Sequence, residues 1–423
     1  MRLICLALPA MLLASALAGC DDSGTPPSAP ARRKFPLPTR RRDDATPQTA
    51  STIVAADSVH GQTGPGSFYT LYRPVPWTDR RLVVFAHGSR DPSLPVEPYI
   101  TNDIANLRDA LLQRGYAFAW STFSSNGFDV KDGAQRTHQL NGLFASAFGK
   151  PSHTYITGRS LGGAIALMLA EEHPEAYDGA LPQCGFIGGS RMEVDHIATG
   201  RLLLDYFFPG FLENMGAGAG LFDVPPDVDY AGTIAGPLRQ LLLAHPAETA
   251  SMASVKQLDL VYEGAAITSG KVNSEIVNEI VAVLGFAVTD VGNVLNRTHG
   301  HVFFDNSTVR YEYTDGRDAT ALNTGIARWT DTPNAGNYLD HYYEPTGRLR
   351  IPVLSLHGLR DPVVPFSHEA VYAARALAMG NPELFRSVAS TAPGHCVAVT
   401  IDQQIAGLTT LVAWAESREM GEH

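Results

Sequence analysis

Gly158-Arg159-Ser160-Leu161-Gly162 is a G-x-S-x-G sequence set between an apolar β-rich run (Tyr155-Ile156-Thr157) and a helical stretch from Gly163 onward. A serine on a tight strand-to-helix turn projects its hydroxyl beyond the sheet edge, and the flanking glycines let the backbone turn without collision. A serine hydroxyl is a weak nucleophile at neutral pH and needs a histidine beside it, itself held by a carboxylate. Two downstream segments supply those groups in the order Ser, Asp, His. Leu356-His357-Gly358-Leu359-Arg360-Asp361-Pro362-Val363-Val364-Pro365 places Asp361 after a strand-like run. Ala392-Pro393-Gly394-His395-Cys396 places His395 in a loop 34 residues later, room for one helix and one strand. The chemistry of such a set is attack on a carbonyl carbon and formation of an acyl-enzyme. The developing oxyanion needs two main-chain donors. Leu161, directly after the serine, is one; the other is Ser89, with Gly88 as the alternative, in the loop after Arg81-Leu82-Val83-Val84-Phe85-Ala86.

Other residues compete for these roles. His357 lies inside a strand and reads as structural; His87, in His87-Gly88, reads as shaping the oxyanion loop. Asp340 and Glu344 precede the last strands and fit the acid's place less well than Asp361. The bland alternative for Asp361 is a turn-forming Asp-Pro pair, and for Ser160 an incidental serine in a glycine-rich turn.

To converge, these residues need a parallel sheet, whose strand ends gather loops at one edge. The periodicities supply it. Strands are expected at Ser67–Tyr72, Arg81–Ala86, Tyr116–Ser121, His153–Thr157, around Ala180-Leu181, at Pro352–His357 and near Ser387–Ala389. Helices are expected at Asp103–Arg114, Gln135–Phe148, Leu161–His173, Ser367–Ala378 and Ile401–Glu416. Alternating strands and helices predict an α/β fold with a mostly parallel sheet flanked by helices. The core is assigned to residues 52–185 and 350–423. The intervening 186–349 has a mainly helical pattern, as in Ser274–Leu295, and reads as a lid or cap inserted over the sheet. Its Tyr206, Phe207, Phe208, Phe211, Phe303, Phe304, Trp329, Tyr342 and Tyr343 either line a pocket or form the insertion's own core.

The 423 residues carry a net charge of −11. Residues 1–50 are net +3, which leaves −14 for the rest; an acidic body argues against nucleic acid as partner. The opening MRLICLALPAMLLASALAGC reads as a secretory signal over residues 1–19. Its end, Leu17-Ala18-Gly19-Cys20, resembles the bacterial lipobox, in which the cysteine becomes the lipidated first residue. That implies an exported protein held to a bacterial membrane by lipid at Cys20. Residues 20–51, rich in Pro, Ser, Thr and Arg, read as a disordered tether. Of four cysteines, Cys184 and Cys396 then remain in the body, in a disulfide-permissive setting. A Cys184–Cys396 bridge is expected; the alternative is two buried thiols.

With these motifs in hand, the chain resembles secreted bacterial α/β-hydrolases of the esterase and prolyl-oligopeptidase-like group. The resemblance rests on His87-Gly88, on the turn around Ser160, and on the G-x-x-D-x-x-V-P and G-H pair at Asp361 and His395; it covers roughly 65–185 and 350–418. It implies a catalytic triad of Ser160, His395 and Asp361, an acyl or aryl ester as the small-molecule substrate, and neither metal nor other cofactor. Exopeptidase activity of the prolyl-oligopeptidase type is the second reading, and an inactive, membrane-tethered binding lipoprotein the third. His395-Cys396 is also similar to the tannase and feruloyl-esterase group, where a cysteine after the histidine bridges to one just before the serine. Arg159 occupies that earlier place here, which weakens a tannase assignment, while Cys184 could serve the same purpose by another route.

Overall fold

The computed structural model describes residues 55–421 apart from 99, 226–227, 261–266 and 333–335. The signal segment, Cys20 and the 20–51 tether lie outside the described residues. Those that are described belong to one compact unit, Ile53–His423.

Two strands, β1 (Ala56–Gly64) and β2 (Ser67–Pro74), form an antiparallel hairpin. β1 is not among the strands expected from the sequence: it is a largely exposed edge strand with no apolar alternation to betray it, and it turns into β2 at Pro65-Gly66. There follow β3 (Arg81–Ala86), α1 (Asn102–Leu112), β4 (Ala117–Ser121), α2 (Val130–Phe148), β5 (His153–Arg159), α3 (Leu161–Glu172) and β6 (Gly179–Gln183). After β6 come, among the described residues, seven α-helices: α4 (Ser190–Phe207), α5 (Phe211–Asn214), α6 (Ala235–Ala244), α7 (Pro246–Ala253), α8 (Ser274–Arg297), α9 (Thr320–Gly325) and α10 (Gly336–His341). The sheet resumes with β7 (Val353–Arg360), α11 (Ser367–Ala378), β8 (Phe385–Pro393) and the closing α12 (Ile401–Gly421).

The strands form one sheet in the order β1-β2-β4-β3-β5-β6-β7-β8. The pairings β1–β2 and β2–β4 are antiparallel and every later one is parallel. This is the α/β-hydrolase architecture, as expected. Central strands are apolar on both faces because helices cover both. In β3, Leu82, Val84 and Ala86 join the cluster that includes α2 and α3, whereas Val83 and Phe85 pack toward α1 and α12. β5 splits the same way, with Ile156 on the first face and Tyr155 on the second. Two completely buried layers fix the register, since a one-residue slip would exchange them.

Candidate active site

Ser160 sits between β5 and α3 with φ 55° and ψ −122°. Non-glycine residues rarely adopt positive φ, and the surroundings must enforce it. They do. A Cβ on Gly158 would lie 2.2 Å from the Gly162 carbonyl oxygen, and one on Gly162 would lie 2.0 Å from that of Ala86. The elbow is thus pressed against the end of β3, where any side chain at either glycine would collide with backbone. The Ser160 amide donates to the Gln183 carbonyl at 2.9 Å, tying the same turn to β6.

The structure brings the three candidate residues together. His395 Nε2 lies 2.8 Å from Ser160 Oγ, and His395 Nδ1 lies 2.8 and 3.0 Å from the two oxygens of Asp361. A carboxylate only accepts, so it holds the ring proton on Nδ1 and leaves Nε2 free to accept from the serine hydroxyl. Asp361 follows β7 directly and His395 follows β8, so all three stand at the carboxyl edge of parallel strands. The Asp361 carboxyl is buried, which alone would raise its pKa. The charge and hydrogen bond of His395, the nearby His357 and the Val364 amide outweigh that burial and hold it below its usual value. The amides of both Val363 and Val364 donate to it at 3.0 Å.

The competing residues fall outside this set. His357 is buried between Glu369 (2.9 Å) and the Val364 carbonyl (2.9 Å) and braces the Asp361 loop. His87 is buried and stacked on Phe123 at 3.8 Å; burial first, then the charge of Arg90, push its pKa down to about 4, so the ring is neutral and structural. Asp340 pairs with Arg191, and Glu344 accepts from the Arg191 amide.

Gly88, Ser89 and Ser160 line a cleft of about 290 Å³ walled by Phe85, Ile104 and Phe286. The amides of Ser89 and Leu161 have no hydrogen-bond acceptor among the described residues. Leu161 opens α3, where the helix dipole adds partial positive charge.

Cys184 and Cys396 are bonded to each other, with Cα atoms 5.3 Å apart at a sequence separation of 212. Both adopt positive φ, 44° and 57°. The bridge joins the end of β6 to the residue after His395. The Arg159 guanidinium also donates to the Cys396 carbonyl at 3.0 Å and to Asp103 at 2.9 Å. The residue before the serine and the residue after the histidine are therefore linked here by a charged hydrogen bond, while the cysteine is linked elsewhere.

Sequence reasoning missed α8's contribution. One face of this helix runs along the site. Glu275 and Glu279 hold Arg360 at 2.7 and 3.1 Å. The Phe286 ring meets His395 edge-on at 6.0 Å. Asp290 accepts from the Ser89 hydroxyl at 3.3 Å, and Asn293 accepts from the Phe128 amide at 3.0 Å. Arg297 pairs with Asp129 at 2.8 Å. The spacing of 286, 290, 293 and 297 is one helical face, visible in the sequence as a polar stripe on an otherwise apolar helix. The aromatics singled out from the sequence do not line the cleft. Phe208, Phe303, Phe304 and Tyr343 are buried in the helical segment's core, and Phe222 packs edge-on against Phe303 and Trp329.

Burial raises the Asp290 pKa to about 7, against the opposing pull of hydrogen bonds from Ser89 and Thr289. Its unfolded value is about 4. The folded state thus holds an extra proton between those values, so this group's contribution to stability is complete at low pH and is lost as pH rises through about 7. Asp290→Asn cannot titrate. The stability difference between wild type and Asp290→Asn, from denaturant melts, is expected to shift against wild type between pH 5 and 8; a difference that stays flat would contradict the burial argument.

Residues 69–282 match the model of a tannase-like family of unknown function, half of the chain, including Ser160 but neither Asp361 nor His395. No curated protein sequence matches the chain. Among solved structures, it is similar to an esterase of Pyrococcus furiosus (11% identity, TM-score 0.42, 86% of this chain and 91% of that one). It is similar too to brefeldin A esterase, a bacterial homologue of human hormone-sensitive lipase (14%, 0.41, 88% and 79%). An acylaminoacyl peptidase of Pyrococcus horikoshii also matches (9%, 0.40, 81% and 38%). The arginine before the serine, which seemed to weaken a tannase assignment, is compatible with the family match, because the bridge from Cys396 reaches Cys184 instead. An α/β-hydrolase by fold, this chain belongs to the tannase-like family of unknown function.

Proposed function

We propose that this protein is a serine hydrolase that cleaves small carboxylic esters through an acyl-enzyme. The observation that carries the reading is the unbroken hydrogen-bonded chain Ser160–His395–Asp361, with both outer contacts at 2.8 Å. Ser160 Oγ attacks the ester carbonyl as its proton passes to His395 Nε2. Asp361, ionised and buried, stabilises the imidazolium. The amides of Leu161 and of Ser89 or Gly88 receive the oxyanion, a contribution of about 2.7–4 kcal/mol per donor. His395 then protonates the leaving alkoxide, and a water activated by the same ring releases the acid.

The tannase-like character of the matching family supports the choice of esters over amides. An exopeptidase that takes a free N-terminus also needs an unpaired carboxylate to hold the substrate α-amino group. Asp103, the carboxylate that lines the cleft, is engaged by Arg159.

A fluorophosphonate probe is expected to label wild type and not Ser160→Ala. Turnover of aryl esters is expected to exceed that of aminoacyl amides. Faster amide turnover would make the exopeptidase the better reading; equal labelling of both proteins, or of neither, would favour an inactive binding protein. The lipobox supports lipidation of Cys20 and export to a bacterial membrane facing the periplasm or exterior. Loss of membrane fractionation in Cys20→Ala is the expected check.

A further inference from the structure

Resting on the ester-hydrolase reading, we infer that Arg90 is a substrate-binding residue and that the esters this site takes carry a carboxylate, which Arg90 receives. Arg90 follows Gly88-Ser89 and lines the same cleft as Ser160. An ester carbonyl held by the oxyanion donors would thus have this guanidinium as its next neighbour along the loop.

The two arginines of the cleft are in different states. Arg159 is engaged by Asp103 and by the Cys396 carbonyl. Arg90 forms no ion pair among the described residues, and its Nη2 is shut off from solvent without a hydrogen-bond partner. A guanidinium has five donors and is rarely withdrawn from water unless something accepts from it. Its nearest acidic neighbours are Asp103, already engaged, and Glu97, which is exposed. The other wall of its surroundings is Trp120, whose ring lies 5.9 Å away.

Charge points the same way. The body beyond residue 50 is net −14, yet the residues lining this cleft include two arginines and one aspartate. The carboxylates behind it do not line it: Asp361 is engaged by His395 and Asp290 by Ser89. A neutral ester would leave Arg90 unanswered. A substrate carboxylate in the cleft would accept from the part of the half-buried Arg90 side chain that faces it, a charge-assisted hydrogen bond. Phe85, Ile104 and Phe286 offer apolar walls for the short chain or ring between the carboxylate and the ester.

The test compares matched esters. Mono-para-nitrophenyl adipate against para-nitrophenyl hexanoate places the charge on the acyl half. Para-acetoxybenzoate against para-acetoxybenzamide places it on the alcohol half. For at least one pair, wild type is expected to favour the anionic ester by about 10- to 100-fold in kcat/KM, the range of one charged hydrogen-bonding group. That ratio should collapse in Arg90→Gln, return in part in Arg90→Lys, and shrink with added salt. A companion measurement needs no catalysis: calorimetric binding of monomethyl adipate and para-hydroxybenzoate to Ser160→Ala, with and without Arg90→Gln. Binding of either that is lost with the arginine supports the inference even if no ester is turned over, an outcome that would instead count against the hydrolase reading. Hydrolysis or fluorophosphonate labelling with no anionic preference, a preference that survives in Arg90→Gln, or absent binding would overturn it.

Discussion

Ser160→Ala is expected to lower kcat on the preferred ester by on the order of 10⁴- to 10⁶-fold while leaving the fold intact. The serine is half-exposed, so losing Oγ removes one hydrogen bond to His395 and opens no core cavity. His395→Ala should cost about as much, and the double variant little more, because nucleophile and base act as one unit. Asp361→Asn separates orientation from proton transfer. An amide facing Nδ1 can present its NH₂ there and favour the other tautomer, which turns an N–H toward Ser160. A loss of about 10⁴-fold in kcat with a smaller change in KM is the expected signature. If all three variants kept more than a tenth of wild-type activity, the assignment would fail.

Opening the Cys184–Cys396 bridge is expected to produce the next largest effect. It closes 212 residues, containing the whole helical segment between β6 and β7. Constraining so long a loop in the unfolded chain gives a stabilisation of about 2–5 kcal/mol. Cys184→Ser with Cys396→Ser should therefore lower unfolding free energy by about that amount in denaturant melts. Activity should suffer at concentrations of denaturant where the protein is still folded, because Cys396 adjoins His395 and the bridge holds the histidine loop to the sheet. Arg159, which bonds the Cys396 carbonyl, is a second restraint on the loop. Reduction should thus lower kcat several-fold and Arg159→Ala combined with reduction should lower it further than either alone. Finding two free thiols in the unfolded, unreduced protein would refute the bridge, and unchanged kcat on reduction would refute its positioning role.

Much of the candidate site was legible as local chemistry. G-x-S-x-G between a strand and a helix has few structural solutions, because its glycines matter only where backbone approaches backbone. The Gly162 contact with Ala86 is that situation. The alternation of apolar strands with helices likewise specified a sheet covered on both faces, and with it the shared edge on which Ser160, Asp361 and His395 stand. The edge hairpin was harder to read. Exposed β1 lacks an inward-facing apolar stripe, although its pairing with β2 is local, across the Pro65-Gly66 turn.

The surroundings of the Ser160–His395–Asp361 chain depend on contacts distant in sequence. Periodicity identified α8 as a helix but not that Phe286 would reach His395, or that Asp290 would reach Ser89, 201 residues away. Composition marked the aromatics between β6 and β7, but not that they would pack on one another and leave the cleft walls to Phe85, Ile104 and Phe286.

By itself, then, the sequence determined the tight turn that carries Ser160, the chain order of Ser160, Asp361 and His395, and the α/β sheet, since each follows from short-range spacing and hydrophobic period. Only the tertiary structure bonded Cys184 to Cys396, gave Arg159 an ion-pair partner and, among the described residues, left Arg90 without an ion pair. Those outcomes depend on where segments up to 237 residues apart come to rest, which no local pattern encodes.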